Sequence, residues 1–185
     1  AGEALARAPM PREGVSRVAE RLAILKRLRG SLTMTPASRL ALGQLEREAG
    51  NADTATVLLG EAMAAGADSG VAMLEMARAL HKAGRPVEGR GLLFAGAERT
   101  TTPESKRRYR EELSWVATPQ EMASWDSAAA PQRKAWLENF WGGRDVREGR
   151  AEGERLIEHY VRAWTTPPRI SRSPFRKSGG RRRAA

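Results

Sequence analysis

Asp145, Glu154, Glu158 and His159 are the side chains of this sequence whose types and spacing come nearest to chemistry. Glu154 and Glu158 stand four apart, on one face of a helix, and His159 follows directly. Carboxylates beside an imidazole suit a metal site or a general acid–base pair. A metalloprotease-type helix sets two histidines on that face with a glutamate between them, and this stretch has one histidine. The competing reading is structural. Arg144 and Asp145 form a charge-assisted turn and cap, while Trp141 and Tyr160 pack as core. The spacing favours the structural reading. His81 precedes Lys82-Ala83-Gly84 in the last turn of a helix, where a positively polarised group suits the helix dipole.

Other routes to catalysis fare no better. There is no Cys, so no thiolate nucleophile, disulfide framework or cysteine zinc site exists. Gly142-Gly143-Arg144 and Ser178-Gly179-Gly180 lack the spacing of a phosphate loop and the Lys-Ser/Thr that follows one. With His159 as the sole candidate base, no Ser/His/Asp triad can be assembled. The expectation is a non-enzymatic protein with no catalytic residue, no cofactor and no metal.

The candidate residues belong to a stretch that organises the chain, residues 136–160, WLENFWGGRDVREGRAEGERLIEHY. Trp136, Leu137, Phe140 and Trp141 crowd one helix end. Gly142-Gly143-Arg144-Asp145 is expected to turn the chain into a charged helix that closes on Glu158-His159-Tyr160. Trp136, Phe140, Trp141, Arg144, Asp145, Glu154, Glu158, His159 and Tyr160 are therefore read as a structural or docking set. Aromatics make up 5% of the chain, yet all five Trp fall between Trp115 and Trp164. The second half is thus chemically unlike the Ala/Leu/Gly-rich first half.

The formal charge of +10 suggests a polyanion partner, but it is unevenly placed. Seven of the 32 basic residues lie in 169–185 with no acid, leaving 25 bases against 22 acids before them. Arg176, Lys177, Arg181, Arg182 and Arg183 are the candidate contacts for RNA or DNA in this tail, which is expected to be disordered when free. Hydrophobic content of 41% is ordinary for a folded chain. No apolar run is long enough to span a membrane. The sequence starts at Ala1, which reads as a processed or truncated end.

Upstream, the elements read as helices with clear stops. Val15, Val18, Leu22, Leu25 and Leu28 form a helical stripe ended by Gly30-Ser31. Thr35-Pro36 is an N-cap followed by proline at the first helical position. Helices then follow at 37–49, 53–65, 69–83 and 86–99. Gly50 and Gly84 lie 34 residues apart, the period of a tetratricopeptide repeat. Leu42-Gly43, Ala55, Leu59 and Ala62 in the first unit answer Met76-Ala77, Leu80, Gly89, Leu93 and Gly96 in the second. The resemblance to tetratricopeptide repeats covers residues 37–102. Arg39 and Glu46 occupy the usual Trp and Tyr positions of the first unit. Such arrays hold a peptide on one face, although these faces read as Ala-rich and short of Asn, Lys and Arg. A helix at 104–116 starts with Lys106-Arg107-Arg108, against the dipole. Thr118-Pro119-Gln120-Glu121 is a capping box for a helix at 119–125, and Ala130-Pro131 opens the helix that ends at Trp141.

ATPQEM, RKAWLENFWGGRD and G-x-x-x-x-E-x-x-x-EHY-x-R, over about residues 115–162, resemble the helical amino-terminal part of the GWxTD-domain family. The order and spacing of Phe140-Trp141, Arg144-Asp145, Gly149, Glu154, Glu158-His159-Tyr160 and Arg162 carry the likeness. Val146, Arg150 and Gly153 depart from the usual pattern, and no Gly-Trp-x-Thr-Asp occurs in the chain. The resemblance implies a truncated bacterial protein, cytoplasmic or periplasmic, and supplies no catalytic residues.

The expected fold is all-α. Tetratricopeptide-like repeats at 12–103 lead into a Trp-rich segment at 104–165 and a basic tail at 166–185. The expected function is a scaffold or interaction module for a peptide or protein partner, with polyanion binding by the tail as the alternative.

Overall fold

The computed structural model describes residues 14–29 and 34–165. The basic tail and the lead-in around Pro9 and Pro11 lie outside the described residues, as do Arg176, Lys177, Arg181, Arg182 and Arg183. Within them the chain is all-α, with nine α-helices and no strand. These are α1 (Gly14–Arg29), α2 (Pro36–Ala49), α3 (Ala52–Ala64), α4 (Ser69–Lys82), α5 (Pro86–Ala97), α6 (Pro103–Leu113), α7 (Pro119–Ser127), α8 (Arg133–Arg147) and α9 (Glu154–Thr165). A short 3-10 turn, Ala130–Gln132, leads into α8.

Local chemistry sets the starts of α2, α4, α6 and α7. Thr35 Oγ1 accepts from the Ser38 N–H at 3.1 Å, with Pro36 as the first helical residue. Asp68 caps α4 by accepting from the Val71 N–H at 3.0 Å. Thr102 caps α6, and its hydroxyl also donates to Asp68, which ties the start of α6 to the start of α4. At α7 the capping box is complete. The Glu121 N–H donates to Thr118 Oγ1 at 3.2 Å, and the Thr118 N–H donates to Glu121 Oε2 at 2.8 Å.

The 34-residue period is visible in the backbone. Gly50 and Gly84 both adopt the left-handed conformation, φ 91° and 75°, which only glycine enters without strain. The residue after each donates back to an equivalent carbonyl: Asn51 to Glu46 at 2.8 Å and Arg85 to Leu80 at 2.9 Å. Between the paired helices the small residues allow close approach. A Cβ on Gly43 would stand 2.7 Å from Leu59 Cγ, and one on Gly89 would stand 3.0 Å from the Ala77 carbonyl. The first unit thus sets Gly43 against Ala55, and the second reverses the order with Ala77 against Gly89. The register runs on into α6, because the cap Thr102 follows the cap Asp68 by one period.

Among the described residues three apolar clusters fill the array. Leu22, Leu42, Leu45 and Leu58 join α1 to the first pair. Ala55, Leu59, Met76 and Ala79 join the first pair to the second. The third and largest cluster starts at Leu74 and Leu93 and continues through Tyr109, Trp125, Trp141 and Tyr160. The Trp-rich region therefore packs on the open end of α4–α5 and shares its core.

Two expectations from the sequence are corrected here. Gly142-Gly143-Arg144-Asp145 is not a turn, because α8 runs through it to Arg147. Arg144 stacks 3.6 Å over the Phe140 ring one turn back and anchors to neighbouring elements, which holds the glycines in helical form. The turn comes at 148–153, and α9 continues past Tyr160 to Thr165. The start of α6 is also not an unopposed basic cluster. Glu104 sits in its first turn and accepts from Arg107 and Arg108 at 2.8 Å. Burial costs Glu104 less than these bonds gain, so its carboxyl lies below the ordinary range.

Candidate interaction surfaces

The first helices of the pairs stand side by side, and they carry a ladder of charge that the sequence reading missed. On α2, Glu46 is buried and pairs with Lys26 of α1 at 2.8 Å and with the Asn51 amide at 2.6 Å. Arg47 reaches across to Glu75 of α4 at 2.7 Å. Glu75 is 1% exposed and also receives Arg78 at 2.9 Å and Arg108 of α6 at 3.6 Å. Arg78 then pairs with Glu112 of α6. Buried carboxylates lie beneath guanidinium groups that remain partly open to solvent, 19% for Arg78 and 30% for Arg108. Removing one partner of such a pair leaves an uncompensated charge, so the ladder fixes the helix register as well as the surface chemistry. Burial pushes the Glu112 carboxyl up, but Arg78 and hydrogen bonds from Arg78 and Tyr160 outweigh it and hold it below the ordinary range. This face is thus not the Ala-rich, cation-poor surface read from the sequence.

The aromatic residues are mostly internal. Trp125, Phe140 and Trp141 are buried. Trp136 is half-buried, edge-on to Trp125 at 5.2 Å and stacked on Phe140 at 4.8 Å, and its indole N–H donates to Ser124 Oγ at 3.0 Å. Trp115, between α6 and α7, is exposed. Arg133 is a further positioning residue that the sequence reading passed over. It lies 5.1 Å from the Trp125 ring centre and donates to the Thr100 carbonyl at 2.9 Å and to its hydroxyl at 2.6 Å.

Arg144 and Asp145 do not pair with one another. Arg144 donates to both oxygens of Glu121, at 3.0 and 2.8 Å, and to the Val116 carbonyl at 3.1 Å. It staples α8 onto the capping box of α7, and its bonds with those from Thr118 hold the Glu121 carboxyl at about 2. Asp145 is buried and accepts from the Gly153 N–H at 2.7 Å and the Arg155 N–H at 2.8 Å. Its carboxylate thereby caps α9 from the preceding helix.

Glu154 and Glu158 share a face, as the spacing requires, but serve different neighbours. Glu154 accepts from the Ala151 N–H at 3.1 Å. Glu158 lies among Arg150 at 2.9 Å, Arg155 at 3.2 Å and Arg162. His159 and Tyr160 point into the core. Among the described residues no three His, Asp or Glu side chains converge as a metal site would need. His81 is another correction. It is buried against Tyr160, and burial lowers its pKa to about 4 against the pull of Glu112, so it is neutral and no cationic partner of the helix dipole. No described helix is long and apolar enough to cross a membrane.

The tetratricopeptide repeat family model matches residues 46–107, about a third of the chain. The match covers α3, α4 and α5 with the start of α6, which is where the 34-residue register is seen in the backbone. No curated protein and no solved structure matches the chain. None of these comparisons supports the GWxTD resemblance. Tetratricopeptide repeats in general mediate protein–protein interaction or scaffolding.

Proposed function

We propose that this protein is a non-enzymatic interaction module that binds an extended segment of a partner protein along the rank formed by α2, α4 and α6. The observation that carries the reading is the charge ladder on that rank. Arg47, Arg78, Arg108 and Lys82 give it directional donors; Glu75 and Glu112 hold the three arginines in place, and the Glu48 carbonyl holds Lys82. The role of the α6–α9 region is to cap the array, because its large aromatics are spent in the shared core. The GWxTD resemblance fits into this reading as a proposal that residues 115–162 are the helical lead of a longer protein of that type.

Selection from a displayed peptide library tests the binding role. Selected peptides should bind the chain, and Lys82→Glu together with Arg108→Glu should weaken them by at least about tenfold, the loss of one or two charge-assisted contacts. Peptides that bind both forms equally would place the binding surface elsewhere.

A further inference from the structure

The two histidines of the chain meet at the seam between α4 and α9, and both are buried. His81 stacks on Tyr160 with ring centres 4.1 Å apart and planes 19° from parallel. His159 stands edge-on to the same tyrosine at 5.4 Å and tilts against Trp141 of α8 at 5.4 Å. On its far side His81 meets α5 at Gly89, where an added Cβ would fall 2.7 Å from Cδ2 and 3.0 Å from Nε2. His81 Nε2 is buried with no hydrogen-bond partner among the described residues. One side of this imidazole is an aromatic ring and the other is helix backbone, so a second N–H has no acceptor waiting for it.

The charged groups around the pair pull in both directions, and burial outweighs them. Arg155 from α9 and Arg78 from α4 oppose a charge on His159, and His159 opposes one on His81. Glu112 of α6 attracts a proton to both, but it is engaged by Arg78 and by the Tyr160 hydroxyl. Gly89 of α5 and Trp141 of α8 present no charge.

We propose that His81 and His159 form an acid-sensitive latch whose protonation loosens α9 from α4 while the α2–α3 pair stays folded. Histidine is the side chain whose ordinary titration falls in the mildly acidic range. With both histidines at this seam, the α2–α3 and α3–α4 contacts have no equivalent trigger. Burial lowers His81 to about 4 and His159 below its ordinary value, and opening of the seam lets each return toward about 6.5. The closed seam is then fully favoured above pH 6.5 and loses its advantage as pH falls from there toward 4.

Amide hydrogen exchange at pH 7.5 and 5.0, corrected for intrinsic rates, reads the opening directly. Protection in α9 should fall about tenfold further than in α3, as the depressed imidazole pKa requires. Proton NMR of the wild-type chain should show both imidazoles titrating below the ordinary value of about 6.5. A His81→Phe/His159→Phe double variant should make α9 insensitive to this pH step. Loss of protection in α9 and α3 together, or in neither, would overturn the latch. So would imidazoles that titrate near 6.5 in the wild type, a result that needs no variant to fold, or a double variant that keeps the response.

Discussion

The α2–α5 region and the α6–α9 region solve the same packing problem with opposite materials. In the first, Gly43, Ala55, Ala77 and Gly89 let helix backbones approach, and leucines fill what remains. In the second, Trp125, Phe140, Trp141 and Tyr160 hold the helices apart, and single charged groups fix their angles. Arg144 joins α8 to α7, Asp145 joins α8 to α9, and Arg133 joins α8 to Thr100. Stability in the repeats is spread over many small interfaces, as expected of a stack whose units contact mainly their neighbours. Stability in the aromatic region depends on a few large side chains and buried polar bonds.

That contrast predicts where substitutions hurt most. Trp125→Ala should cost about 4 kcal/mol in urea unfolding, since it empties the centre of the shared core. Leu59→Ala, at the seam between the repeat pairs, should cost less, about 3 kcal/mol. A larger loss at Leu59 than at Trp125 would reverse the comparison. Asp145→Ala should cost about 2 kcal/mol, because it leaves the Gly153 and Arg155 N–H groups without their acceptor. The smallest effect has the opposite sign. Gly142→Ala should stabilise by about 0.5–1 kcal/mol, as the residue lies inside α8 with open space where the Cβ would go. A destabilised Gly142→Ala chain would restore the turn at this position.

Where the sequence could be read and where it could not follows from the range of the forces involved. Thr35-Pro36, Thr118-Pro119 with Glu121, and the pair Gly50 and Gly84 act within a few residues, so they show in the sequence and in the structure alike. The Gly142-Gly143 pair misled for the same reason. Two glycines weaken a helix locally, and the contacts of Arg144 that hold it come from Glu121 and Phe140. The charge ladder stayed hidden because most of its partners lie on different helices, far apart in the sequence. Its signal was nonetheless present: Arg78 and Glu112 are opposite charges separated by one 34-residue period, and such positions stand side by side in a stack. The neutral state of His81 needed α9, which no residue near position 81 announces.

The central claim is that partners bind along the α2–α4–α6 rank, and site-specific photocrosslinking tests it most directly. A photoreactive residue would replace Lys82 on that rank, or Val87, which is exposed on α5 in the second rank of helices. With a peptide selected for binding, the account predicts strong crosslinking from position 82 and little from position 87. Crosslinking from position 87 that equals or exceeds that from 82 would contradict it.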